Sequence, residues 1–282
     1  MSKAGKRRLC RAVAAVIAAV IFIYVVFQSG TYIMGAVKKP WKPTYEQENL
    51  SELLEKDELT DEDYAALYRQ TGLTKIGVDR ILTRETRDYI HLIQQDYFDK
   101  TEPQYDIFGT FIGSFEREMG HYSYVPLEDG DVVCCLSTYL SFFHIGHCGI
   151  VVSGEFNLLA ESEGYSSVME TVHATEFFNA ASFVVLRVKT DEKTKAQVTN
   201  YVMEQMLGTR YDFLTGIFEP KATEPLRATH CSHAVWYAYN RFGIDLDSDG
   251  GKIVSPRQLA LSPFVEVVQI RGIDPALFDR RG

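Results

Sequence analysis

The chain has 282 residues, with 29 Lys and Arg against 38 Asp and Glu, for a formal net charge of −9. That average hides a split: residues 1–42 hold eight of the basic residues and no acidic one, so the remainder holds 21 basic and 38 acidic residues, net −17. A body of that sign argues against nucleic-acid binding, which rests on phosphate neutralisation. Five cysteines (Cys10, Cys134, Cys135, Cys148 and Cys231) are too few and too clustered for a disulfide framework, and a body of this size folds around its own core without one.

The N-terminus reads as a membrane anchor. Lys3, Lys6, Arg7, Arg8 and Arg11 precede an uncharged stretch over 12–37, longer than the roughly 20 residues that a helix needs to span a bilayer. Gln28, Ser29 and Gly30 interrupt it, which a spanning helix tolerates because its backbone stays bonded internally. A cleaved signal sequence competes, but Ser29 and Thr31 make a poor cleavage site. Lys38, Lys39 and Lys42 follow the span, so the basic excess lies before it. This predicts a single pass with a cytoplasmic N-terminus and an extracytoplasmic body. The expected layout is a basic tail (1–11), a transmembrane helix (12–37), a charged juxtamembrane segment (38–58), a helical extension (59–121) and a main domain (122–282).

In the extension, LTDEDYAALYRQTG carries an N-cap at Thr60, Asp63 placed to close a capping box, Leu59 and Tyr64 at the spacing of a hydrophobic staple, and a stop at Gly72. Further capped starts fall at Thr74 and Thr83, the latter opening RETRDYIHLIQQDYF with Tyr89, Ile93 and Tyr97 on one face. From Tyr122 the texture changes. VPLEDGDVVCCL, HCGIVVSG, FNLLAES and FVVLRV read as strands. Residues 193–207 form an amphipathic helix stopped by Gly208, HCSHAVWYAYNRFG a helix ending at Gly243, VSPRQLALSP a short Pro-bounded helix and FVEVVQI a last strand. This order predicts an α+β domain with an antiparallel sheet against helices.

The chemistry is sought among the cysteines and histidines. Cys231 follows an extended segment and opens a periodic one, so helix amides and the helix dipole favour its thiolate there and offer donors to an oxyanion. His147 immediately precedes a strand, where a neutral imidazole is held rigidly and is able to take the thiol proton. His144 competes from a loop, and His230 adjoins Cys231 but is expected to point away. A third group should orient the imidazole: Glu161 is the first choice, with Glu163 and Asn157 as alternatives. Two metal readings are weighed. Cys134, Cys135, His144, His147 and Cys148 lack the paired spacing of structural zinc, and Cys134 and Cys135 should face opposite ways on a strand. DLDSDG (245–250) starts like a calcium loop, but Pro256 stands at its twelfth place, so a surface turn is expected.

The series GDVV, GHCGIVV, LLAES, GTRYDF, HCSHAVWYAY and IVSP resembles the circularly permuted NlpC/P60 cysteine hydrolases, and within them the YiiX/YebB-like group. The resemblance covers roughly 122–270. It implies a papain-like α+β fold in which the histidine strand precedes the cysteine helix. It also implies Cys231 as nucleophile, His147 as base and Glu161 as orienting residue, with Tyr211 and Asp212 supporting the cleft and no cofactor. The departures are His233, where relatives often carry an acid, and Cys148 beside the histidine. The implied chemistry is acyl transfer through a thioester, on a cell-wall peptide or an acyl lipid. A non-catalytic domain binding a cell-envelope ligand on the same fold is the alternative. The specificity pocket is expected from 102–122, 137–146 and 214–228. There GTFIGSF and LSTYLSFF read equally as a greasy acyl pocket, as core, or as a surface resting against the bilayer.

Overall fold

The structure is a computed structural model and describes residues 3–108 and 111–279. It opens with α1 (Lys3–Val37), whose most apolar 18-residue window has a mean hydropathy of 2.6 and no buried residue. By length and composition this helix is able to cross a membrane. From Tyr24 onward it touches the body. Gly30 and Gly35 let it come close there, because a Cβ at either would collide with Ser141 and Phe142 or with Tyr105. Thr31 Oγ1 donates to Phe111 O at 2.7 Å, and Tyr105 Oη donates to Thr31 O at 2.8 Å.

Four short helices follow: α2 (Ser51–Leu54), α3 (Asp61–Thr71), α4 (Lys75–Arg84) and α5 (Asp88–Tyr97). The Thr60–Asp63 capping box forms, and Gly72 ends α3 in the left-handed conformation at φ 71°. Thr74 stands at the N-cap of α4, but its hydroxyl donates to Val267 O at 2.7 Å instead of capping its own helix. The start expected at Thr83 is a correction: Thr83 lies inside α4, its hydroxyl donating to Asp79 O, and α5 begins only at Asp88.

Residues 104–116, in the expected helical extension, form a hairpin of β1 (Gln104–Phe108) and β2 (Ile112–Glu116). The main-domain strands are β3 (Val132–Cys135), β4 (Thr138–Leu140), β5 (Phe143–His144), β6 (His147–Ser153), β7 (Leu158–Glu161), β8 (Glu170–His173) and β9 (Phe183–Val188), with α6 (Thr175–Phe178) before β9. After β9 come α7 (Glu192–Tyr201), a π-helical turn (Val202–Met206), β10 (Arg210–Tyr211), β11 (Ala228–Thr229), α8 (Cys231–Asn240), α9 (Pro256–Ala260), β12 (Val265–Arg271) and α10 (Ala276–Asp279).

The main sheet runs β12-β9-β3-β6-β7-β8, antiparallel throughout. A smaller antiparallel sheet, β1-β2-β4-β5, carries the end of α1. The fold is therefore α+β with antiparallel sheets. Both faces of the main sheet are covered, which is why β3 reads as an unbroken apolar run and β9 as one broken only by Arg187. Val132, Cys134, Ile150 and Val184 pack with α7, α8 and α9, whereas Val133, Cys135, Val151 and Val185 pack with α3, α4 and α5. A buried ion pair ties the second layer to the sheet: Arg80 of α4 lies 2.6 Å from Asp131, in the Gly-Asp turn before β3.

Candidate active site

The chain reaches α8 through an extended segment. β11 pairs in parallel with β10, and His230 holds the extended N-cap conformation (φ −130°, ψ 172°) with its ring accepting from His233 N. Cys231 therefore stands at the first helical position, where amides without an intrahelical acceptor and the positive end of the dipole meet. α8 packs on β6, and their N-terminal ends meet: His147 opens the strand and its ring interacts directly with the Cys231 thiol.

Glu161 closes β7, the neighbour of β6, and is buried. His147 Nε2–H donates to its Oε2 at 2.6 Å. That bond leaves Nδ1 as the nitrogen free to exchange a proton with sulfur. Phe177 stacks beneath the imidazole, ring centroids 5.2 Å apart. Gly149 makes this possible, since a Cβ there would sit 2.8 Å from Phe177 Cζ.

The electrostatics favour the charged pair. A hydrogen bond from Cys148 is the largest influence holding the Cys231 thiol well below its usual range; burial opposes it, and contacts with His147 and His230 reinforce it. Cys148 is able to donate because burial keeps its own thiol protonated, well above its ordinary value. For His147, burial acts downward, but the hydrogen bonds to Cys231 and Glu161 and their charges outweigh it and hold the imidazole well above its ordinary value. Both shifts act toward a thiolate beside an imidazolium.

These groups border a cavity of about 780 Å³, whose lining includes His147, Tyr211, His230 and Cys231, within the ordinary size range of small-molecule sites. Tyr211 faces it, whereas Asp212 does not: its carboxylate accepts from Leu214 N at 2.9 Å and shapes the turn behind. His144 also lines the cavity, but its ring is stacked on Tyr139 at 4.7 Å and bonded to Leu136 O. His233 is buried away from the cavity with Nε2 donating to Lys221 O at 2.8 Å, and burial brings its pKa down to about 4. Asn157 sits in the turn between β6 and β7, remote from the ring, and Glu163 lies at the cavity edge.

Two residues on the site escape the sequence reading. The expectation that His230 points away is corrected, because the N-cap breaks the alternation that would turn it aside: it lines the cavity, and its Nε2 is buried with no nitrogen or oxygen partner among the described residues. Phe27, in α1, also lines the cavity. Of the segments expected to build the pocket, 102–122 supplies Ile112 and 137–146 supplies Thr138, Leu140 and Phe143 to Gly146, but 214–228 supplies none of the described lining residues; Ile253 to Pro256 stand there instead. Gly109 and Thr110 of GTFIGSF lie outside the described residues.

Cys134 and Cys135 do face opposite sides of the sheet, Cys134 beside Cys148 and Cys135 donating to Phe177 O at 3.2 Å. The ligand atoms that converge among the described residues are instead those of His147, Glu161 and Glu163, within 4.8 Å of one another. A cation there would have to break the His147–Glu161 bond, so the trio fits an imidazole support better than a metal cradle. In DLDSDG the carboxylates diverge, Asp245 accepting from Trp236 Nε1 at 2.7 Å and Asp247 pairing with Lys221. Comparison with protein-family models, curated proteins and solved structures returns no match.

Proposed function

We propose that this chain is a membrane-anchored thiol hydrolase that cleaves an amide or ester through a thioester on Cys231. The observation that carries this reading is the meeting of Cys231 and His147 at one cavity, with the buried Glu161 behind the imidazole at 2.6 Å. The resemblance to the permuted NlpC/P60 hydrolases supports it, since β6 with His147 precedes α8 with Cys231 and the sheet lies against helices. On this reading the main domain is a permuted papain-like fold. The basic residues in the first turns of α1, Lys3 to Arg11, favour a cytoplasmic N-terminus with the catalytic body on the other side.

In the reaction, the thiolate attacks the carbonyl carbon. The developing oxyanion is met by the Cys231 amide and by the His230 Nε2–H, which is the donor on the Cys231 side because Nδ1 serves as the cap acceptor. The His147 imidazolium protonates the leaving amine or alkoxide, Glu161 keeping the ring oriented, and the neutral imidazole then deprotonates the water that releases the acid.

The test is turnover of acyl-peptide and acyl-ester panels by the full chain in detergent. Cys231→Ala should abolish turnover with its circular dichroism spectrum unchanged, and His147→Ala should lower it about 10²–10⁴-fold. Binding of a panel member with no turnover by the wild type, and equal binding by Cys231→Ala, would favour the non-catalytic binding domain.

A further inference from the structure

The cavity beside Cys231 is not built by the body alone. Phe27 of α1 forms part of its wall, facing the apolar side made by Ile112, Leu140 and Phe143. Phe27 comes 16 residues after Arg11, about 24 Å along the helix at 1.5 Å per residue, which is inside a hydrocarbon core about 30 Å thick. The same stretch of α1 is sealed against the small sheet: the Phe111 ring meets Tyr24 and Phe27 at 5.7 and 5.9 Å. Around this seam, Phe142 and Phe143 expose 50% and 66% of their surface. Large aromatic side chains left uncovered beside a spanning helix are covered by lipid when that helix is in a bilayer. The Phe27 wall of the cavity therefore lies at the level of the acyl chains, and the same cavity is lined by Cys231, His147 and His230.

We propose that the cavity takes an acyl chain of a bilayer lipid ester, entering laterally along α1 past Phe27, so that the ester carbonyl meets Cys231. This rests on the thiol-hydrolase reading and narrows it to one substrate class. The balance is that of ester hydrolysis. The Cys231 sulfur forms a bond to the carbonyl carbon, the bond to the alcohol oxygen breaks, and His147 supplies that oxygen with its proton. Water then cleaves the thioester to the free fatty acid and restores the thiolate–imidazolium pair. A lipid without net charge suits a body of net −17, which repels anionic headgroups.

The experiment uses the full chain in phosphatidylcholine vesicles, with fatty-acid release read by mass spectrometry beside turnover of a two-carbon soluble acyl ester and of a cell-wall peptide. The expected result is Cys231-dependent fatty-acid release. Phe27→Ala should lower the ratio of long-chain to two-carbon turnover about tenfold or more, as the loss of apolar pocket contacts does. Phe143→Ala, at an exposed position, should lower the same ratio if Phe27→Ala fails to fold. Turnover of the two-carbon ester or the peptide without fatty-acid release would overturn the lipid assignment and leave the hydrolase standing. A ratio unchanged in both variants would overturn the route past α1. No turnover of any of the three, with Cys231 unreactive, would remove the hydrolase reading itself.

Discussion

At the residue scale, the proposed reaction starts from a Cys231 thiolate beside a His147 imidazolium. Because the thiol lies well below and the imidazole well above their ordinary values, the pair exists between the two ionisations. Rate should rise with pH as Cys231 loses its proton and fall as His147 loses its own. Cys148→Ala removes the donor that most stabilises the thiolate, so the acidic limb of kcat/KM should move to higher pH. Glu161→Gln removes a charge that supports the imidazolium, so the alkaline limb should move to lower pH. Each displacement should be about one unit, the equivalent of about 1.4 kcal/mol. A pH–rate profile of both variants checks the signs; limbs that move the same way contradict the assignment. His230 separates in a different experiment. His230→Asn keeps an N-cap acceptor but loses the Nε2 donor, so kcat should fall about 10²–10³-fold with the thermal unfolding midpoint unchanged.

At the element scale, the legible parts are those whose signal is local. Thr60 and Asp63 announce α3 because both halves of the capping box lie within one turn, and FVVLRV announces β9 because two helical layers bury it. Thr83 shows the limit. A hydroxyl before polar residues reads as a cap, but inside α4 it bonds back to Asp79 O, and only the continuing helix distinguishes the two. The small-sheet strands are not legible because β4 and β5 are only three and two residues long, β2 is interrupted by Gly113 and Ser114, and Asp106 breaks the apolar pattern of β1, so they depend on partners elsewhere in the chain. Gly149 is the element-level support of the site, giving Phe177 its place under His147. Gly149→Ala should cost about 1–3 kcal/mol by overpacking, read by chemical denaturation, and should slow Cys231 alkylation as the ring beneath His147 is displaced. Unchanged stability would show that the β6–Phe177 contact is looser than the geometry states.

At the scale of the whole molecule, the order of histidine strand and cysteine helix is written in the chain, and so Cys231, His147 and Glu161 are nameable from the sequence. Phe27 is not, because a membrane-spanning pattern conceals which face of α1 the body covers. His230 is not either, because its direction depends on the junction between β11 and α8. The central claim is that α8, β6 and β7 together create one activated thiol among five cysteines. It is tested most directly by treating the full chain in detergent micelles with a substoichiometric alkylating probe from about pH 5 to about pH 9 and mapping the modified cysteine by peptide mass. Cys231 should label rapidly at about pH 6, and strongly more slowly in His147→Ala. Slow labelling that rises only near about pH 8.5, indifferent to His147, would contradict it.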